Sequence, residues 1–115
     1  MMKLAMAAAA LLATGTGTAE GQGFSGAKEI ATGDLAAAEQ AILAQQRLFP
    51  RDADLLLNLA YVYARTGRSE AARALYRQVA TQPDELLDLS RQRTARAHAL
   101  AAAGLRRLDQ QVAAR

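Results

Sequence analysis

The stretch LAYVYARTGRSEAARALYRQ, residues 59–78, contains the pattern that decides the fold. Its first half continues an apolar helical pattern that starts at Leu56, and Gly67 interrupts that pattern. A second helical pattern follows at once, with Ala72 and Tyr76 four residues apart. Apolar residues that recur at i, i+3, i+4 and i+7 form one face of a helix. The stretch therefore predicts two helices joined by a very short turn.

Signals at the ends of these two helices agree with the prediction. The apolar faces consist of Leu56, Leu59, Ala60 and Tyr63 in the first helix and of Ala72, Leu75, Tyr76 and Val79 in the second. Asp52 or Asp54 is suited to cap the start of the first helix, and Ser69 the start of the second. Gly67 stands where a helix C-terminus favours a left-handed residue. We expect the chain to reverse there, so that the helices pack antiparallel.

A fixed spacing relates this pair of helices to the preceding part of the chain. Residues of similar kind lie 34 positions apart in three pairs, namely Gly33 and Gly67, Ala38 and Ala72, and Ile42 and Tyr76. Such a period is typical of helical repeat arrays, in which each unit is a pair of helices. Small residues such as Ala60 and Ala72 are expected where paired helices cross, because a larger side chain would force the helices apart.

These residues resemble the signature of the tetratricopeptide repeat family. That signature is W-x2-L-G-x2-Y, followed by A-x3-F and a proline. The positions that match it are Leu56, Leu59, Ala60, Tyr63, Ala72 and Tyr76, with Leu56 in place of the tryptophan. Pro83 comes one residue earlier than the period predicts. The resemblance implies an all-α fold of antiparallel helix-turn-helix repeats, a TPR-like α-solenoid with about two to three repeats.

The repeat pattern extends to both sides of the complete unit at residues 53–83. Residues 34–50 supply the second helix of an earlier pair, and its first helix, in 24–32, is short and degenerate. Beyond Pro83 a helix is expected to end at Gly104, and a last helix is expected over 105–113. Two alternatives stay open for 85–103: a short extended or turn segment followed by a helix, or one long helix.

The N-terminal residues predict export. Lys3 precedes the apolar run LAMAAAALLA, residues 4–13, and small residues follow up to Ala19. This is the pattern of a cleavable signal peptide over 1–19, and the apolar run is too short for a stable membrane span. The alternative is an Ala-rich N-terminus without a targeting role. We expect a periplasmic or secreted protein with a flexible lead-in or degenerate first helix over 20–33 and a TPR-like domain over 34–113.

Composition excludes several kinds of function. The chain has no cysteine, so disulfides, thiolate metal sites and a cysteine nucleophile are impossible. Residues 91–115 carry six arginines against Asp109, whereas residues 20–90 carry a net charge of −3. A basic segment of this kind can attract anionic partners, but no aromatic residues lie between the arginines to stack on bases. We expect no nucleic-acid partner and interpret the arginines as a solvated helix face.

Candidate catalytic groups are few. His98 is the only histidine, and Ser25, Ser69 and Ser90 lack the glycine-flanked context of a nucleophile elbow. Glu70, Asp84 and Glu85 are typical of helix starts, where the helix dipole favours negative charge. The sequence therefore predicts no enzyme activity, no cofactor and no metal site.

The resemblance to tetratricopeptide repeats implies a mode of binding. In that family the first helix of each pair lines a concave groove that holds extended peptides or partner helices. The corresponding positions in this sequence are Asp54, Leu57, Asn58, Tyr61 and Arg65. Asn58 occupies the position at which family members often hold a ligand backbone; the alternative is that Asn58 is exposed without a role and that Tyr61 packs on the neighbouring helix. The expected function is a protein or peptide adaptor in the bacterial cell envelope; the alternative is a structural or self-associating accessory subunit without a groove.

Overall fold

A computed structural model describes residues 26–89 and 93–113, and this part of the chain is mostly helical. Its elements in chain order are the helices α1 (Ala27–Thr32), α2 (Leu35–Gln46), α3 (Ala53–Arg65) and α4 (Ser69–Thr81), the strands β1 (Leu86–Asp88) and β2 (Thr94–Arg96), and the helix α5 (Ala97–Ala113). The predicted signal peptide, on which the expected localisation depends, lies outside the described residues. The all-α prediction is correct except for the short two-stranded ribbon.

Helix α3 lies at the centre of the molecule because it is apolar around most of its circumference. One of its faces packs on α1 and α2, where Leu59 and Val62 meet Ala38 and Ile42. Its opposite face contributes to a second apolar cluster, which includes the fully buried Leu56, Ala60 and Ala72 as well as Tyr76, Leu87 and Leu108. The two partly buried side chains Tyr63 and Leu75 contact both clusters.

The turn between α3 and α4 follows the sequence prediction. Gly67 has φ 82°, and the backbone N–H of Arg68 donates to the Tyr63 carbonyl at 2.8 Å, which closes the end of α3. The three-residue turn brings α4 back along α3, and one apolar cluster includes Ala60 and Ala72 near the turn and Leu56 and Val79 further from it, so α3 and α4 pack antiparallel. The Arg68 side chain then reaches back to Glu39 on α2, at 2.6 Å, and ties α2 to this turn.

We predict that Gly67→Ala lowers the free energy of unfolding by about 1 kcal/mol, since a Cβ makes the left-handed conformation unfavourable. No atom lies within 4 Å of the added Cβ, so the loss is due to the backbone alone. Urea denaturation measures it, and Gly67→Asn is the matched control because asparagine tolerates this conformation better. Equal losses in the two variants would contradict this explanation.

Helices α2 and α4 have equivalent residues at the predicted 34-residue spacing. Gly33 has φ 85° at the end of α1, as Gly67 has at the end of α3. Ala38 and Ala72 are both fully buried, and each is the fourth residue of the helix that follows its glycine. The predicted helix before Gly33 exists as the six residues of α1, which is short, as the sequence indicates.

The predicted helix end at Gly104 and a separate last helix over 105–113 are wrong. Helix α5 runs without interruption through Gly104, and this glycine does not have a positive φ. Its missing side chain makes room for a neighbour instead, because a Cβ there would overlap the Tyr76 ring. Gly104 is therefore a contact point between α4 and α5.

The segment between α4 and α5 is extended, so the alternative of one long helix over 85–103 is wrong. Strands β1 and β2 pair antiparallel, with Leu87 opposite Ala95. Leu87 is buried beneath the ribbon, whereas its neighbours Leu86 and Asp88 are exposed. The alternation of apolar and polar residues that the sequence shows here is thus that of a strand with one buried face.

Carboxylates mark three of the helix starts. Asp34 Oδ1 accepts from the Ala37 N–H at 3.1 Å, and Asp52 Oδ1 accepts from the Leu55 N–H at 3.2 Å, which identifies Asp52 as the cap of α3. Ser69, the predicted cap of α4, is the first helical residue, and no side-chain hydrogen bond caps this helix. Asp84 caps the start of α5 from outside the helix, since its Oδ1 accepts from the His98 N–H at 2.9 Å.

Candidate functional site

An open pocket of about 280 Å³ lies where α3, α4 and α5 meet. Tyr61 and Arg65 line it from α3, and Arg107 and Gln111 line it from α5. Its apolar wall is formed by Ala64, Tyr76, Gly104 and Leu108. The pocket brings together two of the five predicted groove residues, Tyr61 and Arg65, with the polar side chains Arg107 and Gln111 of α5.

Tyr61 and Arg65 form a preorganised pair. They are four residues apart, which places them on the same face of α3. Arg65 Nη1 donates to the Tyr61 hydroxyl at 2.8 Å, and the guanidinium carbon lies 5.7 Å from the centroid of the Tyr61 ring. The ring and the guanidinium therefore restrain each other at the edge of the pocket, and other donors of Arg65 remain available to a ligand.

Tyr76 supplies the aromatic part of the pocket wall and remains neutral. Burial raises the pKa of Tyr76 to about 12, and the positive charge of Arg107 opposes this rise. Tyr76 is only 6% exposed, while Arg107 is exposed. The wall thus carries no negative charge at neutral pH.

The structure places Asp54 away from this pocket. Asp54 lies in the first turn of α3, seven residues and about 10 Å along the helix from Tyr61. It is half-buried, and burial, together with the charges of Asp52 and Glu85, raises the pKa of its carboxyl group well above the ordinary value. Asp54 thus belongs to a group of carboxylates beside the α4–β1 connection.

Asn58 and Leu57 lie in the interior. Asn58 is 2% exposed, and Leu57 belongs to the apolar cluster that also contains Leu87 and Ala101. A partner would contact Asn58 only after the groups that cover it had moved. Its role in partner binding stays a prediction, but the accessible part of the predicted groove is at Tyr61 and Arg65.

The sequence interpretation missed the contribution of α5 to this site. Arg107 and Gln111 lie one helical turn apart, as do Gly104 and Leu108, and all four face α3 and α4. The predicted helix break at Gly104 hid this periodicity. A search for i, i+3, i+4, i+7 spacing across Gly104 would have found it, because a glycine inside a helix does not by itself end the helix.

We predict that Asp54→Asn stabilises the protein at pH 7 and leaves its stability unchanged near pH 3. The pKa of Asp54 is higher in the folded than in the unfolded chain, so folding takes up a proton at pH values between the two. The stability that protonated Asp54 contributes is therefore lost as the pH rises from its unfolded-state pKa to its folded-state pKa. The asparagine of the variant carries no charge and does not show this loss. Urea denaturation as a function of pH measures the effect, and a variant that is less stable at pH 7 would contradict it.

Asp84→Ala should show the opposite behaviour. The hydrogen bond from the His98 N–H is the main cause that lowers the pKa of Asp84. Its contribution to stability is therefore present at neutral pH and is lost as pH falls through the lowered pKa of the folded state. The alanine variant should be less stable at pH 7 and lose less stability on acidification than the unchanged protein.

His98 has structural contacts at the start of α5. Its Nε2 lies 2.6 Å from the Gln82 carbonyl oxygen, which is an acceptor, so Nε2 carries the donated hydrogen. Its Nδ1 lies 4.0 Å from Asp84 Oδ2. These contacts hold the end of α4 against the start of α5. Across residues 26–89 and 93–113, no cluster of three or more histidine or acidic side chains is arranged to bind a metal ion.

Comparison with known proteins gives no relative. No protein-family model, curated protein or solved structure matches the chain. Within the part that the structure describes, no helix has the length and apolar character to cross a membrane.

Proposed function

We propose that this protein is a small interaction module of the tetratricopeptide repeat class, which holds a peptide or partner helix against α3 and α5. The pocket formed by these helices and α4 carries the proposal. It is open, it combines an apolar wall with tyrosine and arginine at its edge, and both residue types are enriched where proteins bind one another.

The equivalence of α2 and α4 supports the repeat assignment. Left-handed glycines precede both helices, and the residues 34 positions apart in them are buried alike. In a repeat array, the first helices of successive pairs lie side by side and line one surface. Helices α3 and α5 correspond to such first helices, and α5 has no described partner helix after it. Action in the cell envelope, after export, is part of the proposal and depends on the N-terminal sequence alone.

Partner capture tests the proposal. The tagged chain is crosslinked in cells of its source, and bound proteins are identified by mass spectrometry. We expect one dominant partner, which the double variant Tyr61→Ala/Arg65→Ala loses while its helicity stays unchanged. The control variant Arg106→Ala lies on the opposite face of α5 and should retain the partner. Full capture by the double variant would exclude this site.

A second candidate function, self-association as an accessory subunit, is favoured by exposed apolar side chains. Leu48 and Phe49 lie in the α2–α3 connection, and Leu86 lies in β1, each more than half exposed. A hydrogen bond from Gln82 Nε2 to the Arg51 carbonyl at 3.0 Å joins the α2–α3 connection to the end of α4, four residues before β1. Sedimentation across a dilution series distinguishes the two candidate functions. An oligomer that dissociates on dilution, and does so more readily with Phe49→Ser, would favour self-association.

A further inference from the structure

We propose that the pocket between α3, α4 and α5 receives an aromatic side chain of the partner and that its two arginines bind a carboxylate of an adjacent Asp or Glu. This inference rests on the proposed function and specifies the segment that the module recognises. It follows from the size of the pocket, from its apolar wall and from the state of the arginines at its edge.

The size and wall of the pocket fit one large apolar side chain. Its volume of about 280 Å³ is at the lower end of the roughly 300–1,000 Å³ that ligand sites occupy. The small Ala64 side chain narrows the pocket little, and Gly104, the Tyr76 ring and Leu108 complete its apolar wall. An aromatic ring placed here can contact the Tyr61 and Tyr76 rings, an arrangement that adds to simple burial of area.

Arg65 and Arg107 at the pocket have no carboxylate partner among the described residues. Arg68 pairs with Glu39 at 2.6 Å, and Arg73 pairs with Asp109 at 2.9 Å. Among the described residues, Arg65 has only the Tyr61 hydroxyl as its hydrogen-bond acceptor, and no carboxylate lies within ion-pair distance of Arg107. Guanidinium groups bind carboxylates through paired, charge-assisted hydrogen bonds, so an acidic residue of the partner would complete them.

The electrostatic balance of the site favours an anion. The C-termini of α3 and α5 each place about half a negative charge near the pocket, and this effect opposes anion binding. Two full positive charges from Arg65 and Arg107 exceed it, and Tyr76 is neutral because burial raises its pKa to about 12. No acidic residue of the described segments lines the pocket. The field at its edge is therefore positive.

Peptide binding tests the inference. The probes are fluorescent, acetylated and amidated peptides of equal length, which contain Phe flanked by two Glu, Phe flanked by two Gln, or Ala flanked by two Glu. We expect the first peptide to bind about tenfold more tightly than the second at low salt. The third peptide should bind at least as weakly as the second, because it cannot fill the apolar part of the pocket.

Charge reversal on α5 distinguishes local recognition from general attraction. Arg107→Glu should remove the preference for Glu over Gln, whereas Arg106→Glu, with the same change of charge on the opposite face, should keep it within about twofold. Both residues are exposed, so both variants should fold, and circular dichroism checks this.

The outcomes separate this inference from the proposed function. Equal affinity for the Glu and Gln peptides, or equal effects of Arg106→Glu and Arg107→Glu, would overturn the carboxylate inference. The carboxylate inference would also be overturned if the protein bound none of the three peptides while Tyr61→Ala/Arg65→Ala still abolished partner capture. In that case the proposed partner-binding site would still stand. If the unchanged protein binds none of the peptides and also captures no partner, this result would count against the proposed function itself.

Discussion

Gly104→Ala is expected to destabilise the protein by about 2 kcal/mol, although alanine is the better helix former. Helix propensity alone predicts that a change from glycine to alanine in a helix interior raises the free energy of unfolding by about 1 kcal/mol. The new Cβ would overlap the Tyr76 ring, which is buried. Overpacking of a core typically costs about 1–3 kcal/mol, and severe overlap lies at the upper end, so the net effect is a loss.

A double variant identifies the cause of this loss. In a Tyr76→Leu background the ring is absent, and Gly104→Ala should become neutral or stabilising by up to about 1 kcal/mol. Urea denaturation of the four proteins measures the coupling. Ala102→Gly is the matched control on the exposed face of α5 and should lose about 1 kcal/mol through propensity alone. A stabilising Gly104→Ala in the unchanged background would contradict the described contact.

Leu56→Ala should have the largest effect on stability, a loss of about 2–5 kcal/mol. Leu56 is fully buried in the cluster that joins α3, α4, the ribbon and α5. Truncation removes its apolar contacts and leaves a cavity that the neighbouring helices fill only in part.

The matched control for this prediction is Leu86→Ala. Leu86 is 56% exposed, so its truncation should change the free energy of unfolding by less than about 0.5 kcal/mol. Thermal or urea denaturation compares the two variants. Similar losses at both positions would mean that Leu56 does not lie in the core as described.

Local signals in the sequence predicted the centre of the fold. The spacing of apolar residues in α3 and α4 is set by the period of one helix, and the turn between them requires a left-handed residue that Gly67 supplies. The small size of Ala60 and Ala72 is likewise explained by their burial. These features depend on neighbouring residues, so one sequence suffices to find them.

Contacts between distant segments were not predictable in the same way. A glycine near the end of an apolar pattern is consistent both with a helix end and with close helix packing, and only the position of Tyr76 decides between them. The same contact determines that Arg107 and Gln111 lie opposite Tyr61. The burial of Asn58 similarly depends on tertiary packing, whereas its position on α3 gives only the face of the helix.

Site-specific photocrosslinking tests most directly whether a partner binds at the pocket between α3, α4 and α5. A photoreactive amino acid replaces Gln111, which is exposed at the edge of the pocket, or Ala102 on the opposite face of α5. We expect a covalent adduct with one partner protein from position 111, none from position 102, and loss of the adduct with Tyr61→Ala/Arg65→Ala. Adducts that form equally from both positions, or that still form in the double variant, would contradict partner binding at this pocket.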